Sequence, residues 1–182
     1  MGDTIKILGI SGSLRKGSYN TNALRAAAGL APEGVEIEIY DLSGIPEFVQ
    51  DQEPSAKVIE FKQKIREADA ILISSPEYNY SVPGVLKNAI DWASRPYGDS
   101  AWEGKPAAIM GASTGGIGTA RMQYHLRQIM VFLNMFPLNR PEVMISTCAD
   151  KFDAEGVLTD EKTKEIIGKM LAALADWTRK LK

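Results

Sequence analysis

Hydroxyl-bearing and basic side chains follow the first apolar run of the chain, in the segment SGSLRKGSYNT at residues 11–21. Because residues 5–10 have the composition of a strand and residues 23–30 that of a helix, this segment is predicted to be a strand-to-helix turn. The free amides at a helix N-terminus bind anions. The side chains that add polar groups there are Ser11, Ser13, Arg15, Ser18, Asn20 and Thr21. This array predicts a cradle for one dianionic phosphate.

The glycine spacing of this first loop separates it from common nucleotide-binding motifs. Gly12 and Gly17 have the spacing of a P-loop, but Ser18 and Tyr19 stand where that motif carries Lys and Ser or Thr. The lysine for terminal phosphates and the magnesium ligand are therefore missing, which disfavours a nucleoside triphosphatase. The dinucleotide motif G-x-G-x-x-G does not occur in the loop either. Lys16 is interpreted as a solvated charge.

A second candidate for chemistry is the segment Gly111-Ala-Ser-Thr-Gly115, which has the G-x-S-x-G pattern of a serine nucleophile. A hydrolase of that class needs an acid and then a histidine after the serine. The only histidine, His125, follows Ser113 with no Asp or Glu between them, which disfavours a serine hydrolase. We interpret residues 113–116 as a turn whose small residues let the backbone approach a flat ligand.

The elements that position these loops follow from the periodicity of apolar residues. The β-rich runs are IKILGIS, VEIEIY, AILISS, PAAIMGAS and EVMIST. They alternate with predicted helices at residues 20–30, 55–68, 82–94, 118–134 and 159–181. This alternation predicts an α/β protein with a flavodoxin-like, doubly wound five-stranded parallel sheet of order 2-1-3-4-5 between two layers of helices. VEIEIY alternates in polarity and is assigned to an edge.

The strand order predicts where a ligand binds. Open parallel sheets bind ligands beyond the carboxyl ends of their strands at the switch point, here between strands 1 and 3. The first loop, the second loop SPEYNYSVPG (residues 75–84) and the third loop GASTGGIG (residues 111–118) converge there. Turn chemistry alone explains polar residues and glycine in any one of them. Three such loops together favour a binding site.

Length and composition limit the remaining classes. The 182 residues suit one domain, residues 1–182, and a net charge of −2 provides no broad basic surface for nucleic acid. The single cysteine, Cys148, excludes an intramolecular disulfide and a cysteine-based zinc site, and we expect no metal. No apolar run approaches the roughly 20 residues of a membrane span. We expect a cytoplasmic protein with no membrane insertion.

Taken together, the three loops resemble a known family. The segments GSLRKGSYN, SPEYNYSVPGVLKNAIDWASRP and GASTGGIGTARMQYHLRQI are similar to those of the NAD(P)H-dependent FMN reductases, which include bacterial quinone, azo-dye and chromate reductases. The resemblance runs over nearly the whole chain from Ile5, and residues 76–95 are its most specific part. It implies that the first loop binds the FMN 5′-phosphate, at Ser13, Arg15, Ser18, Asn20 and Thr21.

The resemblance also implies roles for the other two loops, which would border the isoalloxazine ring and close the site. The positions concerned are Pro76, Glu77, Tyr78, Asn79, Ser113 and Gly115. Backbone N–H groups of the second loop would stabilise the negative charge that a flavin gains towards N1 and O2 on reduction. Glu77 is either a surface charge preceding a helix or a catalytic carboxylate. Tyr78 and Tyr80 cover the ring, line the acceptor site or pack at its rim.

The implied activity is that of an oxidoreductase with bound FMN and NAD(P)H as co-substrate. No obligatory protein acid or base emerges, which suits hydride transfer, where geometry supplies most of the catalysis. The implied ping-pong cycle passes a hydride from nicotinamide to FMN N5 and on to a small acceptor: quinones first, then flavin, azo dyes or chromate. The alternative is a flavin-binding electron carrier without nicotinamide turnover, which the small net charge of −2 disfavours.

Association is predicted from residues 118–134. Leu126 and Ile129 lie on one apolar stripe of this helix, whereas Val131 and Phe132 point in other directions. We therefore expect a homodimer, and the family resemblance implies a dimer or a dimer-based homotetramer; the alternative is a helix wedged between the sheet and the last helix. The candidates for polar contacts between subunits are Arg121, Tyr124 and Glu142.

Overall fold

The computed structural model describes residues 4–182, so the first three residues of the predicted single domain lie outside the described residues. The strands are β1 (Ile5–Ser11), β2 (Val35–Tyr40), β3 (Ala70–Ser74), β4 (Pro106–Ala112), β5 (Phe136–Pro137) and β6 (Val143–Ile145). The helices are α1 (Tyr19–Gly29), α2 (Ala56–Glu67), α3 (Gly84–Ala93), α4 (Ala120–Phe132) and α5 (Glu161–Leu181), with a 3-10 turn at Cys148–Asp150. Each predicted helix is present, with ends shifted by one or two residues.

The strands form one parallel sheet in the order β2-β1-β3-β4-β5, with β6 also paired to β4. In the register of the central strands, Gly9 of β1 lies opposite Leu72 of β3, and Leu72 lies opposite Ala108 of β4. β2 pairs only with β1, so the alternating run VEIEIY is an edge strand. The predicted flavodoxin-like fold and the strand order 2-1-3-4-5 are confirmed.

The fifth position of the sheet is divided between two short strands, one more than the sequence predicts. β5 pairs with Pro106 and Ala107 at the start of β4, whereas β6 pairs with the last three residues of β4. Pro137 has no N–H and cannot extend the ladder of β5. A strand of two residues is too short to produce an alternating pattern, so EVMIST predicts only β6.

Two apolar cores lie on the two faces of the sheet. Because side chains alternate along a strand, Ile71 and Ile73 of β3 contact the core under α2, α3 and α4, while Ala70 and Leu72 contact the core under α1 and α5. The all-apolar character of β3 follows from this double burial. The two cores fix the sheet between its helices and hold the carboxyl ends of β1, β3 and β4 at one edge.

α5 is the longest helix, with 21 residues, and it is amphipathic. It buries Ile167, Leu171 and Leu174 against the sheet and exposes charged residues on the opposite side. Across residues 4–182, no helix combines the length and the apolar character that a membrane span requires.

Gly111 in β4 permits the close approach of β3 and the turn before α4. A Cβ atom at Gly111 would overlap the Thr119 hydroxyl and lie 2.5 Å from the carbonyl oxygen of Ser75. That backbone is fixed, because Ser75 N donates to Met110 O at 3.1 Å. We expect Gly111→Ala to lower the free energy of unfolding by about 2 kcal/mol, as overpacking does. Urea denaturation of the apoprotein measures the change.

The matched control is Gly116→Ala in the third loop. Nothing lies within 4 Å of a Cβ atom built at Gly116. This variant should therefore unfold at the wild-type urea concentration. Equal midpoints for the two alanine variants would contradict the packing argument.

Candidate active site

Three loops meet at the carboxyl edge of the sheet, as the sequence predicts. The first loop joins β3 through a hydrogen bond from Gly12 N to Ser74 O at 2.8 Å, and Ser75 N in turn binds β4. A Cβ atom at Gly12 would overlap the Ser75 side chain, so only glycine allows this approach without rearrangement. The third loop is fixed by a hydrogen bond from Ser113 N to Ile145 O at 3.0 Å. The strand ends therefore hold all three loops in one place.

A cleft of about 160 Å³ lies between these loops. Its predicted site residues are Ser13, Arg15, Ser18, Asn20, Pro76, Glu77, Tyr78 and Ser113. Ser11, Thr21, Asn79 and Gly115 are predicted site residues that do not line it. Cavities that enclose a small molecule typically measure roughly 300–1,000 Å³. A ligand that needs a cavity of that size would therefore be only partly enclosed by the cleft.

Ser18 begins α1 and orders the first loop. As N-cap residue its hydroxyl accepts a hydrogen bond from Thr21 N at 3.4 Å, a common way to satisfy a helix N-terminus. Behind it, Thr21 Oγ1 donates to Ser11 Oγ at 2.9 Å. The hydroxyls of Ser11 and Thr21 thus bind each other, and they support the loop from outside the cleft.

Asn20 connects α1 to two strand ends. The residue is 3% exposed, and its Oδ1 accepts hydrogen bonds from Ala112 N at 2.8 Å and Ser74 Oγ at 3.2 Å. Its Nδ2 donates to Ala112 O at 3.0 Å. Because an amide carries two N–H donors, one is left for a ligand. Asn20 therefore acts mainly as a link between α1 and the ends of β3 and β4, and it keeps one N–H for a ligand.

Arg15 supplies positive charge to the cleft. Its side chain is exposed, lines the cleft and forms no ion pair or hydrogen bond with any residue that the structure describes. Nearby, the Ser13 hydroxyl accepts from Arg15 N at 3.4 Å, which leaves its own O–H free to donate. A guanidinium, serine hydroxyls and the amides at the start of α1 form a donor set suited to a dianionic phosphate.

The second loop contains a tight turn in an uncommon conformation. Tyr78 and Ser81 exchange backbone hydrogen bonds of 3.2 and 2.9 Å, and the two residues between them, Asn79 and Tyr80, have φ values of 50° and 66°. Asparagine tolerates a positive φ, whereas a tyrosine there is strained by roughly 1–3 kcal/mol. The Arg121 guanidinium lies 3.8 Å from the centre of the Tyr80 ring and holds it in place.

Glu77 caps α4 from the second loop. Its carboxylate accepts hydrogen bonds from Arg121 Nη1 at 3.0 Å and from Met122 N at 3.1 Å, and the side chain is 11% exposed. The N-cap residue of α4, Thr119, has a φ of 73° and makes no side-chain cap. Glu77 replaces that missing cap. The Glu77 carboxylate is thus largely buried and paired, rather than a free charge at the surface.

The third loop is fixed to the turn after β6. Ser113 Oγ accepts from Gly115 N at 3.1 Å, and Ser113 O accepts from Cys148 N at 3.0 Å. His125 Nδ1 lies 2.8 Å from Ser81 Oγ in the second loop. His125 is thus paired with a residue other than Ser113, which agrees with the argument against a serine hydrolase.

Four residues that line the cleft are not among the predicted site residues: Tyr19, Ala112, Thr114 and Cys148. Tyr19 packs on Phe152 with ring centroids 5.3 Å apart. Cys148 is fully buried, and burial raises the pKa of its thiol, which disfavours the reactive thiolate. Cys148 follows the predicted strand EVMIST. Because ligands bind beyond the carboxyl ends of strands in this fold, that position could have marked it as a site residue.

The chain that carries these three loops is similar to known proteins. The family described as NADPH-dependent FMN reductase matches residues 5–150. The chain belongs to this family. The family resemblance predicted from the three loops is thereby confirmed, and so is the prediction of an oxidoreductase that uses FMN and NAD(P)H.

Several relatives of the FMN reductase family match the chain over its length. It is 58% identical to an NAD(P)H-dependent FMN reductase of Pseudomonas aeruginosa, with 100% of both chains covered. It is 43% identical to a 2-hydroxy-1,4-benzoquinone reductase of a Burkholderia species, covering 96% of this chain and 97% of that one. Among solved structures, the flavoenzyme FerB, an NAD(P)H:(acceptor) oxidoreductase of Paracoccus denitrificans, has a TM-score of 0.89 and 36% identity, covering 97% and 98% of the two chains.

The cleft fits the cofactor of the family. The donor set of the first loop suits the negative charge and the acceptor oxygens of the FMN 5′-phosphate. The isoalloxazine ring is larger and flat, and it needs the open side of the cleft, where Tyr78 is 49% exposed. These residues would hold FMN with its phosphate enclosed and its ring accessible to small molecules.

Proposed function

We propose that this protein is an NAD(P)H:quinone oxidoreductase that binds the FMN phosphate at the first loop. The observation that carries the proposal is the guanidinium of Arg15, which has no partner among the described residues and lines the same cleft as Ser13 and Ser18 of the first loop. These hydrogen-bond donors, with neither the lysine nor the metal ligand of a P-loop beside them, suit a monophosphate. The names of the relatives supply the acceptor class. The predicted cytoplasmic location stays a prediction.

The chain's own residues bind and orient the reactants. When bound, FMN supplies hydride transfer between a nicotinamide and an acceptor. Arg15, Ser13 and Ser18 would hold the phosphate, and the backbone of residues 76–79 would border the ring. The tight turn at Asn79 and the Glu77 cap preorganise that backbone, which lowers the cost of ordering on binding. Catalysis by position requires no titrating side chain.

The open shape of the cleft favours flat acceptors. Because the cleft measures only about 160 Å³, part of a bound flavin would stay exposed, and nicotinamide and acceptor would bind there in turn. The relatives include a 2-hydroxy-1,4-benzoquinone reductase and an NADPH:quinone oxidoreductase of Arabidopsis thaliana that is 48% identical to this chain. Quinones are therefore our first acceptor class. Free flavin, azo dyes and chromate stay predictions.

The visible spectrum of the purified protein tests the proposal. Protein reconstituted with FMN should release FMN on acid denaturation, lose its absorbance when NADH or NADPH is added without oxygen, and regain it on adding benzoquinone. Loss of colour without reoxidation by quinone would contradict the acceptor class. Failure of both nicotinamides to reduce bound FMN would favour the electron-carrier alternative.

We also propose that the chain forms a homodimer or homotetramer through α4. Val131 and Phe132 on this helix are 80% and 73% exposed. Adjacent large apolar side chains at the surface often mark a contact with another protein. Glu142, through hydrogen bonding and its negative charge, raises the pKa of the Tyr124 phenol. Arg121 is occupied by Glu77, which leaves Tyr124 and Glu142 as the polar candidates.

Phe132→Lys is expected to shift the protein towards a smaller species in solution, because it places a charge in the proposed apolar contact. Light scattering at micromolar concentration measures the mass of wild type and variant. Lys169→Ala on α5 provides a control at an exposed position of the opposite layer. A monomeric wild type would refute the proposal directly.

A further inference from the structure

The ion pair between Glu77 and Arg121 lies at the root of the second loop. The carboxylate of Glu77 is one residue after Pro76 and lines the cleft, so the proposed function places its negative charge near the flavin ring. Reduction of a flavin adds negative charge to the ring. An uncompensated carboxylate there would oppose reduction, because two like charges in partly buried surroundings repel strongly.

Groups at the start of α4 offset the negative charge of Glu77. Arg121 Nη1 lies 3.0 Å from Glu77 Oε1, and the first-turn amide of Met122 donates to Oε2 at 3.1 Å. Among residues 4–182, Arg121 is the one cation within ion-pair distance of this carboxylate. The positive end of the α4 dipole acts in the same direction.

Arg121 also fixes the shape of the loop. Its guanidinium contacts Glu77 on one side and the Tyr80 ring on the other, at 3.8 Å from the ring centre. One turn further along α4, His125 binds the Ser81 hydroxyl. The strained turn between Glu77 and Ser81 is thus attached to α4 at both of its ends.

We propose that Arg121 is a positioning residue that tunes the bound flavin: by neutralising Glu77 and holding the second loop, it favours reduced FMN over oxidised FMN. This inference rests on the proposed function, since it needs FMN at the cleft. Arg121 does not line the cleft, so its effect on the flavin acts through Glu77. A purely structural ion pair would affect the binding of both flavin forms equally.

Charge-changing variants separate these two roles. Arg121→Gln leaves Glu77 uncompensated and should weaken binding of reduced FMN about tenfold more than binding of oxidised FMN. Glu77→Gln keeps an acceptor for Met122 N, removes the negative charge and should shift the same ratio in the opposite direction. The double variant Glu77→Gln/Arg121→Gln and the charge-conserving Arg121→Lys should both return the ratio to within about twofold of wild type.

The measurement is titration of each apoprotein with FMN and with dithionite-reduced FMN under anaerobic conditions. A matched control is Lys87→Gln, which removes the same unit of charge from the ion pair of Lys87 with Asp91 in α3, at 2.8 Å. Its ratio should stay at the wild-type value. The thermal midpoint of each apoprotein shows that the variants are folded.

The outcomes distinguish the inference from the function on which it rests. Opposite shifts for the two single variants, cancelled in the double variant, support the tuning role. Equal weakening of both flavin forms, or no change in Arg121→Gln, would overturn it while FMN binding by the wild type stands. Wild-type protein that binds neither form of FMN would overturn the proposed function and this inference together.

Discussion

Replacing Arg15 by alanine is expected to weaken FMN binding by roughly tenfold to a hundredfold and to leave the unfolding midpoint of the apoprotein unchanged. The binding effect follows from the loss of a charge-assisted contact to phosphate, which contributes roughly 1.5–3 kcal/mol. Stability is unaffected because the Arg15 side chain is exposed and has no partner among the described residues. Quenching of FMN fluorescence by the apoprotein measures the affinity.

Three controls make this prediction specific. Lys16→Ala removes the neighbouring charge, which is exposed and does not line the cleft. Because salt screens exposed charges, this variant should change the FMN affinity less than threefold. Arg15→Lys keeps the charge but loses the two-pronged geometry, so an intermediate affinity is expected. Riboflavin, which lacks the phosphate, should bind wild type and Arg15→Ala equally. A loss of riboflavin binding equal to the loss of FMN binding would contradict the assignment of Arg15 to the phosphate.

Features determined by local sequence were predictable. The first loop could be assigned because a strand, a Ser18 cap and a helix follow one another directly, and capping depends on residues three positions apart. The strand order could be assigned because runs buried on both faces must be central and an alternating run such as β2 suits an edge. The convergence of the three loops then follows from the parallel arrangement of β1, β3 and β4.

Features determined by distant pairings were not predictable from one sequence. Glu77 and Arg121 are 44 residues apart, and the same carboxylate caps α4, whose N-cap residue Thr119 is left-handed and makes no side-chain cap. Nothing in the residue types of the second loop indicates this partner. β5 was missed for a different reason, since a two-residue strand ending in Pro137 has no periodicity.

Asn20 illustrates how a motif position can be identified correctly while its structural task stays hidden. The resemblance assigns Asn20 to the phosphate, and the residue does line the cleft. Its hydrogen-bond partner Ala112 is 92 residues away in the chain, at the end of β4. Only the folded arrangement shows that most of the amide's capacity is used to join α1 to β4.

Asn20→Ala is therefore expected to lower the free energy of unfolding of the apoprotein by about 3 kcal/mol. The change leaves the buried N–H and C=O of Ala112 without partners, and each unsatisfied group costs roughly 1–3 kcal/mol. Urea denaturation measures it. Asn22→Ala in the same helix is the matched control, since among the described residues the Asn22 side chain hydrogen-bonds only to the nearby Arg25. Similar midpoints for Asn20→Ala and Asn22→Ala would contradict the role of Asn20 as a brace.

The response of each variant to added FMN separates binding from support. A ligand that binds only the folded state stabilises it by an amount set by its concentration relative to its Kd. At one FMN concentration, Arg15→Ala should start from the wild-type midpoint and gain less on addition of FMN. Asn20→Ala should start from a lower midpoint and recover an increment nearer to that of the wild type, because Asn20 contributes at most its one free N–H to the ligand. If the increment of Asn20→Ala falls as far as that of Arg15→Ala, then Asn20 is a phosphate ligand of equal weight, and the distinction between the two residues does not hold.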